Sequence, residues 1–260
     1  MKPIRTIFAG LGALALVGVV SAGAVHAEPT DVTVRIISKG AKFVGSSMGG
    51  VRITLRDANT SEILAQGQTS GGTGSTEKIM KSAHERGAPV STEDSAKFTT
   101  TLDLETPRLV RVEAYGPMSQ RQSAVTVAST QWVVPGKDVT GGDAWLLELP
   151  GFIVDVVAPQ TPTKAGDAPQ TINLQAHVSM MCGCPITPDG LWDANKYEVA
   201  AMLMRDGEVV RTVPMSYAGS ASQFEGEVEV KEPGAYEAVV YAYDPASGNT
   251  GLDRAAFSLD

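Results

Sequence analysis

Val51-Arg-Ile53-Thr-Leu55-Arg-Asp57 alternates apolar and polar side chains without a break. Successive residues of an extended chain point to opposite faces, so this period buries one face of a strand and wets the other. Strand-length runs of the same kind recur at Val32–Ile36, Leu109–Tyr115, Thr171–Val178 and Gln223–Val230. Turn-forming residues stand between the runs: Asp57-Ala-Asn59-Thr-Ser61, Gly116-Pro117, Pro135-Gly136, Pro150-Gly151 and Asp206-Gly207. Runs this short, separated by such breaks, leave hardly any room for an amphipathic helix. The expected fold is all-β, as two antiparallel β-sandwich domains.

The first residues belong to a different kind of segment. Lys2 and Arg5 precede an apolar run from Ile7 to Val20, and Val25 and Ala27 suit the −3 and −1 positions of a signal-peptidase site. Residues 1–27 are read as a cleaved signal peptide and set aside from the fold. The run is shorter than the roughly 20 residues a membrane span requires, and no later segment is long or apolar enough to cross a bilayer. The expected location is periplasmic or extracellular. The full chain carries a formal net charge of −8; removing the leader, with Lys2 and Arg5 and no acid, takes it to −10. So acidic a product is a poor partner for nucleic acid or an anionic membrane.

Cleavage leaves 233 residues, enough for two domains of about 100 residues. Ala158–Pro169 is rich in Pro and small polar residues, so the boundary is placed there: a first sandwich over 28–157, a linker over 158–169, a second sandwich over 170–260. Phe152–Val157 suits either side. Ala124–Ala128 and Gln131–Val134 are read as separate strands. Ser70–Asp94 is read as a surface insertion, in which Glu77–Ala83 has length for two helical turns. Asp206-Gly207 between two apolar runs predicts a tight hairpin.

Two resemblances follow. The strand, Asp-Ala-Asn-Thr turn, Gly-rich loop and Leu109-Val-Arg-Val-Glu-Ala-Tyr115-Gly order over Val32–Tyr115 resembles transthyretin-like modules found as regulatory domains beside carboxypeptidases. Such modules serve as scaffolds or recognition units, which implies a non-enzymatic role. Pro233-Gly-Ala-Tyr236-Glu-Ala-Val-Val-Tyr-Ala-Tyr-Asp244, followed by Gly248-Asn249 and a last run, resembles bacterial immunoglobulin-like domains over Gln170–Leu259. That resemblance implies that the Tyr236 hydroxyl ties back to nearby backbone.

Chemistry concentrates in one place, His177-Val-Ser-Met180-Met181-Cys182-Gly-Cys184, which holds both cysteines of the chain. Thiolate and thioether select Cu(I), and imidazole accepts copper as well. Cys182 and Cys184 share a strand face, and Gly183 lets the chain turn so that both sulfurs reach one ion. Met180 shares their parity; Met181 and His177 do not. Three readings stand together: a soft-metal site with Cys182, Cys184, Met180, Met181 and His177 as ligands, a structural disulfide, and a dithiol that exchanges with partners. Trp192 is read as a core residue beside this patch.

Other catalytic patterns are thin. The mature chain has only His84 and His177, with no Gly-x-Ser-x-Gly elbow, no paired zinc histidines and no Gly-Lys phosphate loop. Asp244, Ser247, Asn249 and Asp253 are read as a solvated turn rather than a Ca²⁺ site. The function expected is a non-enzymatic binding protein that takes Cu(I) or another exported protein. The alternatives are an adhesion-type interaction module stapled by Cys182–Cys184, or a redox protein.

Overall fold

The computed structural model describes residues 26–260, so the expected signal peptide, apart from its last two residues, lies outside the described part. The chain forms β1 (Glu28–Ser38), β2 (Arg52–Asp57), β3 (Ile63–Gln68), β4 (Phe98–Leu104), β5 (Arg108–Gly116), β6 (Val125–Val133), β7 (Trp145–Leu149) and β8 (Phe152–Ala158). It continues through β9 (Thr163–Gly166), β10 (Gln170–Met180), β11 (Glu198–Arg205), β12 (Glu208–Pro214), β13 (Ser216–Tyr217), β14 (Gln223–Val230), β15 (Gly234–Asp244) and β16 (Asn249–Leu259). The molecule is all-β. Sheets β4-β1-β7 and β3-β2-β5-β6 enclose one core; sheets β13-β14-β10-β8 and β12-β11-β15-β16-β9 enclose another.

Among the strands named above, pairing is antiparallel except that β1 runs parallel to β7 and β9 runs parallel to β16. Each parallel contact joins an early strand of one sandwich to its last. Val32, Val34 and Ile36 on β1 point into the first core against Ile53, Leu55, Val110 and Val112, as the alternation requires. The Asp206-Gly207 hairpin forms between β11 and β12 with both residues at positive φ (53° and 83°), the conformation its tight turn demands. Tyr236 donates its hydroxyl proton to the Glu232 carbonyl at 2.8 Å, the backbone tie implied by the immunoglobulin-like pattern.

Several expectations are corrected. Val125–Val133 is one strand, not two, because Ser129-Thr130 contains nothing that stops extended backbone and β6 pairs with β5 throughout. The expected linker carries β9, whose edge on β16 fixes it to the second sandwich. β8, placed with the first sandwich, hydrogen-bonds to β10 of the second.

The 70–94 insertion is more than a surface excursion. It lays Ile79, on a π-helical turn at Glu77–Lys81, against Phe43, where Ala96 just beyond the insertion joins them to cover the outer face of β1. Arg35, buried on that face, donates to the Ser95 carbonyl at 2.5 Å. The Asp143 carboxylate accepts the Val90 and Ser91 N–H groups at 2.9 and 2.8 Å. Burial opposes ionisation of Asp143, but these donors outweigh it and hold its carboxyl below the ordinary carboxylate range.

Candidate functional site at the junction of the two sandwiches

β10 ends in a reversal. Gly183 N–H donates to the Met180 carbonyl at 2.7 Å, and Met180 N–H to the Cys184 carbonyl at 3.1 Å. Gly183 sits at φ +75°, open to glycine and strained for other residues. Across this turn Cys182 and Cys184 are joined by a disulfide with their Cα atoms 5.4 Å apart. Both are buried, at 2% and 5% exposure.

The turn divides its neighbours between the two cores. Met180, Cys182 and Cys184 pack with Ile186, Trp192 and Phe152 in the second core. Met181, fully buried, packs with Ile153 and Leu149 in the first. β8 is divided in the same way, Phe152 and Val154 facing the second core and Ile153 the first. Trp192 belongs to the second core, as its sequence context implied, and its indole N–H donates to the Gly40 carbonyl at 3.0 Å.

Of the five ligand residues expected from sequence, the structure gathers Cys182 and Cys184 into one bond and keeps Met180 beside them. Met181 turns into the other core. His177 stays on the regular part of β10, paired in register with Asp155 and Gln223, on the face opposite Met180. While the disulfide stands, neither sulfur is a thiolate that could ligate Cu(I) or attack a partner. Sequence reasoning missed Met48, whose thioether fills the space that a Cβ on Gly183 would need. It lies far from the patch in sequence, so only the fold brings it there.

The outer edge of β8 is closed by side chains from both sides. Ser123 Oγ accepts from Val154 N–H and donates to its carbonyl, at 3.0 and 3.1 Å. The Asn249 carboxamide accepts from Gly151 N–H at 2.6 Å and donates to the Gly151 carbonyl at 2.9 Å. Asp253 accepts from Val156 N–H at 2.9 Å. The four residues of the expected solvated turn therefore divide: Asp244 caps its own turn through Ala246 and Ser247, while Asn249 and Asp253 hold β8.

Above this seam lies an open cleft of about 480 Å³, lined by Gln122, Ser123, Val125, Phe152, Tyr241 and Leu252. Its size suits a small apolar ligand or a side chain from a partner. The Tyr241 hydroxyl donates to Glu198 at 2.5 Å, and that bond, with partial burial, pushes its pKa up to about 12. The phenol is held neutral as a donor.

Fold and junction define a tandem β-sandwich protein. No family model matches the chain, and no curated protein matches it. Among solved structures it is similar to an engineered protein at 15% identity and TM-score 0.32, covering 46% of this chain and 22% of that one. It is also similar to the fibronectin(III)-like modules of Clostridium thermocellum CbhA, at 13% identity and TM-score 0.30 over 89% of this chain and 86% of theirs. Titin domains z1z2 in complex with telethonin give 11% identity and TM-score 0.26, covering 90% of this chain and 96% of that one. The architecture rests on the strand order itself. No helix among the described residues is long and apolar enough to cross a membrane.

Proposed function

We propose that this is an exported, non-enzymatic protein-binding module whose two sandwiches are locked at their junction, with Cys182–Cys184 as a structural staple. The observation that carries the reading is the division at the turn: adjacent residues Met180 and Met181 enter different cores, and the disulfide fixes the turn that follows them. Such a lock suits a rigid rod that presents loops and edges to a partner. Export is supported by the leader pattern and by β1 starting at Glu28, immediately behind the expected cleavage point. The transthyretin-like reading of Val32–Tyr115 rests on motif order alone.

The test combines two measurements on protein taken from its own compartment. Titration of thiols in denaturant without reductant is expected to find none, and a photo-reactive residue at Leu252 is expected to trap a discrete protein. Two free thiols, or no adduct at Leu252 in cells, would overturn the reading.

A second reading keeps the soft metal, for the reduced protein only. What favours it is Met48, a thioether from the first sandwich laid against Gly183 between the two cysteines. The reduced chain would then offer Cys182, Cys184, Met180 and Met48 to Cu(I). Stoichiometric Cu(I) uptake after reduction, lost in Cys182→Ser, supports it; no uptake removes it.

A further inference from the structure

Edge strands expose unpaired N–H and C=O groups, and folds protect them with charges, bulges, brevity or a covering element. Nearly every edge of this molecule is protected in one of these ways. β3 meets β2 through a register shift, and Phe98 covers it at Gly67. β4 carries Asp103, β7 carries Glu148, and β9 is four residues with Lys164. β12 carries Glu208 and Arg211 beside a register shift, and β13 has two residues. β8 is sealed by Ser123, Asn249 and Asp253.

β6 has no charge, bulge or short length to protect it; what reaches it is the Trp145 indole of β7, whose N–H donates to the inward-facing Ser129 Oγ at 2.8 Å and leaves the backbone edge uncovered. Val125-Thr-Val-Ala-Ser-Thr-Gln-Trp-Val133 is nine residues without a charge, proline or glycine, paired to β5 with no register shift. Six of the nine are exposed, Trp132 at 62%. Among the described residues, no backbone group of β6 bonds outside its ladder with β5. In an acidic chain that protects its other edges, this one is left open.

We propose that β6 pairs with β6 of a second copy, antiparallel about a two-fold axis at Ser129, joining two β3-β2-β5-β6 sheets into one of eight strands. This names a partner for the interaction-module reading and rests on that reading only for the contact's being functional. The occupant follows from charge and length. A neutral strand offers no attraction to a charged peptide, whereas a copy supplies nine matching uncharged residues and sets no like charges opposite one another within the pair, in spite of the acidic net charge of the chain. In that register Ala128 faces Thr130 of the copy and Trp132 faces Thr126. On its own sheet Ala128 lies opposite Glu113, and Thr130 opposite Arg111.

These neighbours permit a charge-swap test on the full mature chain. Ala128→Lys and Thr130→Glu each gain an opposite charge across β5, so each should fold, yet each places like charges near the two-fold axis. Sedimentation up to about 1 mM, the range in which weak contacts saturate, is expected to show a wild-type dimer. Each variant alone should associate at least about tenfold more weakly. An equimolar mixture of the two should dimerise again, because the ammonium introduced at position 128 of one chain then faces the carboxylate introduced at position 130 of the other. Ser129→Cys is expected to cross-link two copies under mild oxidation, and Thr126→Cys is not. A wild-type chain that stays monomeric, variants that dimerise unchanged, or a mixture that fails to recover overturns the pairing. A monomeric wild type that still traps a protein at Leu252 overturns the pairing alone and leaves the interaction module standing.

Discussion

Asn249 treats Gly151 as a β-strand would, accepting its N–H and donating to its carbonyl from a side chain that is 3% exposed. Two buried backbone groups thus depend on one carboxamide from the start of β16, 98 residues further along the chain. Asn249→Ala leaves both unpaired, at a cost of about 2–4 kcal/mol. Asn249→Asp keeps the acceptor but sets a carboxylate against a carbonyl, and should cost at least as much. Urea unfolding should show a lower midpoint with an unchanged slope. Loss of less than about 0.5 kcal/mol would mean that water replaces the side chain there.

Gly183 and Gly207 both sit at positive φ, 75° and 83°, but only Gly183 is crowded. Gly207→Ala meets open space and should cost only the conformational strain, about 1 kcal/mol. Gly183→Ala meets that strain and the Met48 thioether as well, so it should cost about 1–3 kcal/mol more. Met48→Ala in the Gly183→Ala background should recover part of that excess. Additive effects of the two changes would show that the thioether does not press on the turn.

How much of this was legible in the sequence follows from the range of the interactions. Strands, the Asp206-Gly207 hairpin and the Tyr236 tie are local patterns, and they could be read directly. β8 could not be assigned, because Phe152 to Val154 places apolar residues on both faces, as a strand shared between two cores must. The insertion looked like a loop because its anchors, Arg35 and Asp143, lie far away in sequence. At the patch, residue types were legible but partners were not. Parity separated Met180 from His177 correctly, whereas Met48 and the division of Met181 into the other core depend on how the sandwiches meet.

The disulfide closes a loop of three residues, for which chain entropy contributes only about 1.5 kcal/mol. Its removal should therefore be felt mainly through packing. Cys182→Ala with Cys184→Ala is expected to lower stability by about 2–4 kcal/mol once lost buried contacts are included. Met181→Ala should cost about 2–5 kcal/mol on its own and weaken the coupling of the two sandwiches. Calorimetry checks both: the wild type should melt in one transition, and Met181→Ala should broaden or split it.

Asp143 and Tyr241 give pH dependence of opposite sign. The Asp143 carboxyl is lowered on folding, so its contribution is complete above the ordinary Asp value of about 3.9 and is lost as pH falls through the lower folded value. The difference in urea midpoint between wild type and Asp143→Ala should stay constant from about pH 5 upward and shrink below that. Proteolysis between Ala83 and Asp94 should report the same loss, because Asp143 holds Val90 and Ser91. Tyr241 is raised to about 12, chiefly by its bond to Glu198. Its contribution is complete below the ordinary tyrosine value of about 10 and is lost as pH rises through about 12. The difference between wild type and Tyr241→Phe should fade only in that alkaline window. No difference between the two at neutral pH would mean that the phenol adds nothing through this bond.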